Sequence, residues 1–204
     1  MSETEPDVID LLAGVAKGSR LDEVRAQRQE TRDNAQKSHQ ALFAPKFPSR
    51  FTAEERYAVA AFAAGLHGDA GIAAFYRAGL VALNGPRSVA EAIDTEIVPG
   101  RAEGPYGRYP EGPLSVEDKP GPVYRVSEAN RETLGARLSA ALEHAHLLIL
   151  RPRDASPAAL QSLLDAGFST TDIVTLSQLV AFLSFQIRVI VGLRALAAVP
   201  PRNA

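Results

Sequence analysis

Apolar residues recur at helical spacing along most of the chain, and no segment shows the alternation of a half-buried β-strand. In the segment that follows Phe51, one helical face carries Ala58, Val59, Phe62, Ala63 and Leu66. Farther along, a longer face carries Leu134, Leu138, Ala141, Leu142, Ala145, Leu148 and Ile149. The pattern therefore predicts an all-α fold.

Residues suited to helix ends divide this pattern into elements. Thr52 and Glu55 have the spacing of a capping box, which accounts for Glu55 better than a catalytic role does. Ser156 offers an N-cap directly before Pro157, and Gly167 stands where a helix C-terminus favours glycine. The remaining expected helices cover residues 7–16, 20–43, 72–83 and 88–97.

The chain divides into an N-terminal helical extension, residues 1–50, and a larger domain, residues 51–204. The polar helix expected at residues 20–43 is followed by Pro45 and Pro48. It carries few large apolar groups, so we expect it to pack along the surface or to reach another subunit.

A loop rich in proline and glycine interrupts the larger domain at residues 97–126. It holds six of the 14 prolines and five of the 15 glycines of the chain. A loop of this length is either a lid, binding loop or oligomer arm, or a tolerated surface insertion, and the sequence leaves both interpretations open. Four side chains of this loop, Tyr106, Arg108, Tyr109 and Arg125, could form a lid or an interface patch, but their spacing specifies no chemistry.

The most apolar stretch, residues 173–199, is long enough to be considered as a membrane span. Six polar or charged side chains interrupt it: Ser177, Gln178, Ser184, Gln186, Arg188 and Arg194. Because such groups are costly in hydrocarbon, a buried core helix that begins at a Ser169 cap is the better interpretation. No signal peptide is expected, since the first residues are acidic, and we expect a cytoplasmic protein without a membrane partner.

Composition removes several classes of function. The 22 basic and 24 acidic residues give a net charge of −2, which provides no electrostatic reason to expect nucleic acid as a partner. The chain has no cysteine, which excludes disulfides, thiolate metal sites and cysteine nucleophiles. The sequence also lacks a phosphate-binding glycine loop, a nucleophile elbow and a zinc-protease motif, and no cofactor is expected.

Three residues of the C-terminal half are candidates for binding or for helix locking. His144 and His146 are two apart on a helix, so they point in different directions and are not expected to share a metal ion. His144 is therefore a candidate for a pocket or a subunit contact. Arg188 stands on an apolar stretch, where a buried guanidinium needs a carboxylate, carbonyl or ligand partner, and an ion pair that locks helices or subunits is favoured over binding of an anionic ligand.

Two stretches resemble the alkylhydroperoxidase D and carboxymuconolactone decarboxylase superfamily, in its peroxidase-related branch. ERYAVAAFAAGLHGDAGIAAFYRAGL, residues 55–80, is similar to the N-terminal half of that domain, and residues 141–193, ALEHAHLLILRPRDASPAALQSLLDAGFSTTDIVTLSQLVAFLSFQIRVIVGL, are similar to its C-terminal half. The resemblance spans roughly residues 51–95 and 131–196. It implies a helical domain of two related halves that assembles into a homo-oligomer.

The family's redox residues are absent at the corresponding positions. Tyr57 stands at the family's glutamate, Asp69 and Ile72 stand at its two cysteines, and Tyr76 stands at its histidine. The resemblance therefore implies the fold without self-sufficient peroxidase activity. It leaves open a cysteine-free enzyme or binder of a small organic molecule, and a non-catalytic partner of a cysteine-bearing homologue.

The expected site lies around the bend at residues 65–71. Tyr57, His67, Asp69 and Tyr76 could form a polar pocket there for acid–base chemistry or for a small ligand. The structural alternative, which we favour, is that His67 lies at a helix C-terminus and Asp69 caps the next helix.

Overall fold

The computed structural model describes residues 6–47, 49–83 and 86–200, which form α-helices and no β-strand. Pro48, which was expected to help end the polar N-terminal helix, lies outside the described residues. The α-helices of these ranges, α1 to α9 in chain order, are Val8–Ala13, Arg20–Ala26, Gln29–Phe43, Ala53–Leu66, Ala70–Ala82, Arg87–Gly100, Glu128–Leu150, Pro157–Asp165 and Thr170–Ala198. The all-α prediction is confirmed for this part of the chain.

α4 is the central helix, and α5, α6, α7 and α9 pack around it. Every residue from Ala58 to Leu66 is buried, so the helix is covered on all sides. Small side chains in this run allow close neighbours, since a Cβ added at Gly65 would lie 2.5 Å from the Cδ1 of Ile97 on α6. The predicted capping box between Thr52 and Glu55 is formed at its start.

α9 is the longest helix and packs against α4, α7, α1 and α3. By length and composition it could cross a membrane, with a mean hydropathy of 1.8 over its most apolar window, of which 39% is buried in the structure. Core helices of folded domains meet the same criterion, and Leu176, Leu179, Leu183 and Ile190 of α9 are fully buried in the hydrophobic core. This burial supports the interpretation as a core helix.

The N-terminal segment packs on its own chain. α1 and α3 contact α9, and Val8, Ile9 and Phe43 belong to the main hydrophobic core. The prediction of one helix over residues 20–43 is wrong, because the chain turns between α2 and α3 at residues 27 and 28. No glycine or proline marks this turn in the sequence.

Ion pairs hold the turn between α2 and α3 in place. Arg32 of α3 contacts Asp22 of α2 at 2.8 Å and also Asp10 of α1. Arg25 of α2 contacts Asp7 and Asp10, both at 2.8 Å. These half-buried pairs place α2 and α3 side by side, where a continuous helix would separate them.

The irregular segment between α6 and α7 covers residues 101–126. It is shorter than the 97–126 expected, because α6 continues through Pro99 to Gly100. Within it lie a short 3-10 helix, Pro113–Glu117, and one antiparallel bridge between Gly107 and Lys119.

A buried carboxylate fixes the end of this segment. Glu96 on α6 is 1% exposed and accepts hydrogen bonds from the Tyr124 hydroxyl at 2.6 Å, the Ser127 backbone N–H at 3.1 Å and the Asn130 amide at 2.8 Å. The Ser127 hydroxyl donates to it as well. Burial by itself would raise the pKa of Glu96, but the hydrogen bonds from Ser127, Tyr124 and Asn130 hold it below its usual value.

The C-terminal helices begin largely as the sequence predicts. Ser156 caps α8 ahead of Pro157, and Ser169 caps α9 in a box with Asp172. One feature was not foreseen: α7 is kinked at Gly135, which has φ +70°. A left-handed residue is strained for side chains other than glycine, so the kink depends on this glycine.

Candidate functional site

A groove of about 750 Å³ runs beside α9, between the C-terminal ends of α4 and α7 and the first residues of the 101–126 segment. Its volume falls within the roughly 300–1,000 Å³ that small-molecule sites occupy. The apolar part of its lining includes Leu66, Leu148, Ile149, Leu150, Val180 and Ala181. Its polar lining comes from His67, Glu103, Ser177, Ser184 and Arg188.

His67 and Arg188 meet around Ser184 at the polar end of this groove. The Nε2 of His67 lies 3.3 Å from the Oγ of Ser184, which joins the end of α4 to the middle of α9. Arg188 follows Ser184 by one helical turn and donates from Nη1 to its carbonyl oxygen at 2.9 Å. Two of the residues singled out from the sequence therefore share one cavity.

Arg188 carries the positive charge at this end of the groove. Burial lowers the pKa of His67, and the positive charge of Arg188 lowers it further, so the imidazole is neutral near pH 7. Arg188 is exposed and forms no ion pair with a carboxylate in the described ranges. Within the described residues Arg188 is neither buried nor ion-paired, because its position on α9 faces outward and not toward the core, and an ion pair that locks it to another subunit stays a prediction.

Tyr76 and Tyr57 lie away from the groove, in an aromatic cluster. Tyr76 is fully buried and stacks on Phe43 with ring centroids 5.1 Å apart, while its hydroxyl donates to Gln186 Oε1 at 2.5 Å. The Tyr57 ring lies 6.3 Å from that of Tyr76, and a Cβ at Gly79 would come within 2.2 Å of it. Close packing fills the space that a polar pocket would need.

Asp69 has the structural role that the sequence analysis favoured. Its Oδ1 accepts from the Ile72 N–H at 2.9 Å as the N-cap of α5, and its Oδ2 contacts Arg194 at 2.6 Å. Ile72 is fully buried. The four side chains expected around the bend thus have three separate surroundings, and only His67 lines the groove.

His144 and His146 point to opposite sides of α7, as predicted. His144 Nε2 lies 3.4 Å from Ser177 Oγ on α9, whereas His146 Nε2 donates to the Gly100 carbonyl at 3.0 Å and its ring stacks on Tyr124. Burial lowers the pKa of both histidines. His144 lines a second, smaller cavity of about 280 Å³ beside α8. No cluster of three or more potential metal ligands occurs among the residues that the structure describes.

The four residues singled out in the 101–126 segment, Tyr106, Arg108, Tyr109 and Arg125, do not line the groove. Arg153 lies over the Tyr109 ring at 3.9 Å, and Arg125 contacts Glu143 at 2.8 Å. Tyr106 donates its backbone N–H to the Leu150 carbonyl at 2.6 Å. The part of the segment that borders the groove is residues 102–105.

Sequence reasoning missed Ser184 and Glu103 as groove residues. Ser184 was noted only as a polar interruption of an apolar stretch, although its spacing of four from Arg188 places both on one helical face. Glu103 lies in an irregular segment, so no periodicity could have assigned it to a face.

Comparison of the chain with protein-family models, with curated proteins and with solved structures finds no significant match. The resemblance to the alkylhydroperoxidase D-like family therefore stays a prediction, as do the two related halves.

Proposed function

We propose that the protein binds a small monocarboxylic acid with an apolar tail in the groove beside α9, and that it does so without redox chemistry. The observation that carries this proposal is Arg188, an arginine without a carboxylate partner in the described ranges, at the polar end of a groove with apolar walls. One of the five N–H donors of a guanidinium is directed to Ser184 O, which leaves others for a carboxylate.

The remaining lining defines the class of acid. Leu148, Leu150 and Val180 offer apolar surface to a hydrocarbon tail, at about 0.8 kcal/mol per buried methylene. Glu103 also borders the groove, and its negative charge disfavours phosphates and dicarboxylates relative to a singly charged acid. His67 and Ser184 supply neutral hydrogen-bonding groups beside the carboxylate.

Binding fits this arrangement better than ester hydrolysis does, although His67 and Ser184 lie within reach of each other. Ser184 is in the middle of α9, where the backbone N–H groups are used by the helix and cannot form an oxyanion hole. No carboxylate hydrogen bond to His67 is present among the described residues to orient it as a base. Among the described residues, the groove therefore has a serine and a histidine but neither the oxyanion hole nor the orienting carboxylate that ester hydrolysis uses.

The proposal takes up the cysteine-free alternative within the family that the sequence resembles. A self-sufficient thiol peroxidase is excluded by composition, because the chain has no cysteine. A non-catalytic partnership with a cysteine-bearing homologue stays a prediction of the sequence.

Isothermal titration calorimetry with butanoate, hexanoate and octanoate tests the proposal. We expect affinity to rise by up to about fifteenfold for each two added methylenes, and hexanol to bind more weakly than hexanoate. Arg188→Gln should weaken octanoate binding by at least about tenfold. Arg87→Gln, which removes an exposed arginine remote from the groove, is the matched control and should bind as the unmodified protein does. Equal binding by the Arg188→Gln protein, or no binding of any acid, would contradict the proposal.

A further inference from the structure

The outer face of α9 carries a regular row of exposed residues. Its members are Thr171, Val174, Gln178, Ala181, Phe185, Arg188, Gly192 and Ala195, and we call them the α9 row. They are spaced alternately three and four residues apart, which is the seven-residue repeat of a helix that packs along another helix. The α9 row is therefore a continuous side of the helix that the described part of the chain does not cover.

The composition of the row is that of a contact surface. Phe185 is 42% exposed and Val174 is 56% exposed, and a Cβ added at Gly192 would meet no atom within 4 Å. Arg188 is the only charged residue in the row. A helix face this poor in charge leaves apolar surface in water unless another helix covers it.

The α9 row is complementary to itself when two copies of α9 run antiparallel and the two-fold axis lies at the height of Leu183 along the helix. The row consists of two sets of residues spaced seven apart: Thr171, Gln178, Phe185 and Gly192, and Val174, Ala181, Arg188 and Ala195. In an antiparallel pair, each residue of one set faces a residue of the other set on the second copy. In this register Phe185 faces Ala181 of the second copy, and Val174 faces its Gly192. Each large side chain thus meets a small one.

The polar members of the row also match in this register. Arg188 faces Gln178 of the second copy, so a guanidinium meets an amide oxygen that can accept from it. The two Arg188 side chains are separated by ten residues along the helix axis, or about 15 Å, which keeps like charges apart. A parallel pairing would instead place Arg188 against Arg188 and Phe185 against Phe185.

We infer that two copies of this chain associate through α9 in an antiparallel, two-fold symmetric pair. The inference depends on the exposed row and not on the proposed ligand. The pairing also affects the groove. In an antiparallel pair the same side of each α9 faces its counterpart, and Ser177 and Ser184 of the groove lie on the side next to the row. Ala181 and Arg188 belong both to the row and to the groove lining, so the second copy lies against one edge of the groove.

Sedimentation equilibrium of the full chain tests the association in the absence of any ligand. We expect a mass of twice 21.8 kDa for the unmodified protein and 21.8 kDa for Phe185→Glu, which places a carboxylate against Ala181 of the second copy. Val81→Glu is the matched control, since Val81 has the same 42% exposure on α5, and it should stay dimeric. Circular dichroism establishes that both variants are folded. A monomeric unmodified protein, including one that binds lipid vesicles through α9, would overturn the inference.

Cysteine cross-linking tests the register. Because the chain has no native cysteine, only the introduced cysteines can form a disulfide. In the antiparallel pair, Val174→Cys mixed with Gly192→Cys should form a disulfide-linked heterodimer on oxidation. Val174→Cys alone should not cross-link, since its two copies are about 27 Å apart along the axis and a disulfide needs Cα atoms within about 7 Å. Cross-linking of Val174→Cys with itself would overturn the antiparallel arrangement. Because neither experiment contains a carboxylic acid, failure here is distinct from failure of the proposed function.

Discussion

The Tyr76 hydroxyl donates a 2.5 Å hydrogen bond to Gln186 Oε1, and both side chains are fully buried. This contact joins α5 to α9 in the interior of the bundle. In the alignment that the sequence resemblance predicts, Tyr76 falls at the family's histidine, and Tyr76 and Gln186 form a packed hydrogen-bonded pair there. Burial raises the pKa of Tyr76 far above that of a free phenol, which keeps it a hydrogen-bond donor across the physiological range.

Tyr76→Phe should destabilise the protein by about 1–3 kcal/mol, because it leaves Gln186 Oε1 buried without its hydrogen-bond donor. Gln186 Nε2 is already buried without a hydrogen bond, so the remaining contact matters more. Tyr76→Phe combined with Gln186→Met should cost less than the sum of the single changes, with a coupling of about 1 kcal/mol. Urea unfolding measures all three variants, and strict additivity would show that the two groups do not interact.

Glu96→Gln should lower the free energy of unfolding by about 2 kcal/mol. The substitution removes a charge that accepts from Tyr124, Ser127 and Asn130, and it adds an N–H₂ group among donors. Proteolysis within residues 101–126 should become faster, because Glu96 anchors the end of that segment. Glu91→Gln, an exposed change on the same helix, is the control and should alter stability by less than about 0.5 kcal/mol.

Helix positions followed from the sequence because their signals are local. The capping box at Thr52 and the caps at Ser156 and Ser169 are formed as expected. The break between α2 and α3 could not be predicted, since it is set by ion pairs such as Arg32 with Asp10, which join residues distant in sequence. The kink at Gly135 could not be predicted either, because a single glycine in a helical pattern does not indicate which backbone angles it adopts.

The candidate site was only partly predictable for a similar reason. His67 and Arg188 were both singled out, yet nothing in their sequence separation of more than a hundred residues shows that they meet around Ser184. Asp69 and Tyr76 were grouped with His67 because they are close in sequence. Their side chains leave the helices in different directions, toward Arg194 and Gln186.

Stability should fall as the pH drops below about 6.5, the value for a free histidine. His67, His144 and His146 have pKa values lowered by burial, so protons bind to the unfolded chain first and favour it. Above that pH this contribution is constant. His146→Gln, whose amide can still donate to Gly100, should reduce the slope of unfolding free energy against pH. An unchanged slope would show that His146 titrates alike in both states.

Hydroperoxide turnover with dithiol donors should be absent in the purified protein, because no residue of the chain can form a thiolate. A cysteine-containing member of the alkylhydroperoxidase D family serves as the positive control. Turnover that persists after chelator treatment would show that cysteine-free residues carry peroxidase chemistry, and it would contradict the assignment of the groove to binding alone.

A crystal structure with 8-bromooctanoate tests whether the groove beside α9 binds a carboxylic acid, because bromine marks the tail by its anomalous signal. We expect the carboxylate within hydrogen-bonding distance of the Arg188 guanidinium and the bromine among Leu148, Leu150 and Val180. A bromine peak in another cavity, or a carboxylate bound away from Arg188, would contradict it.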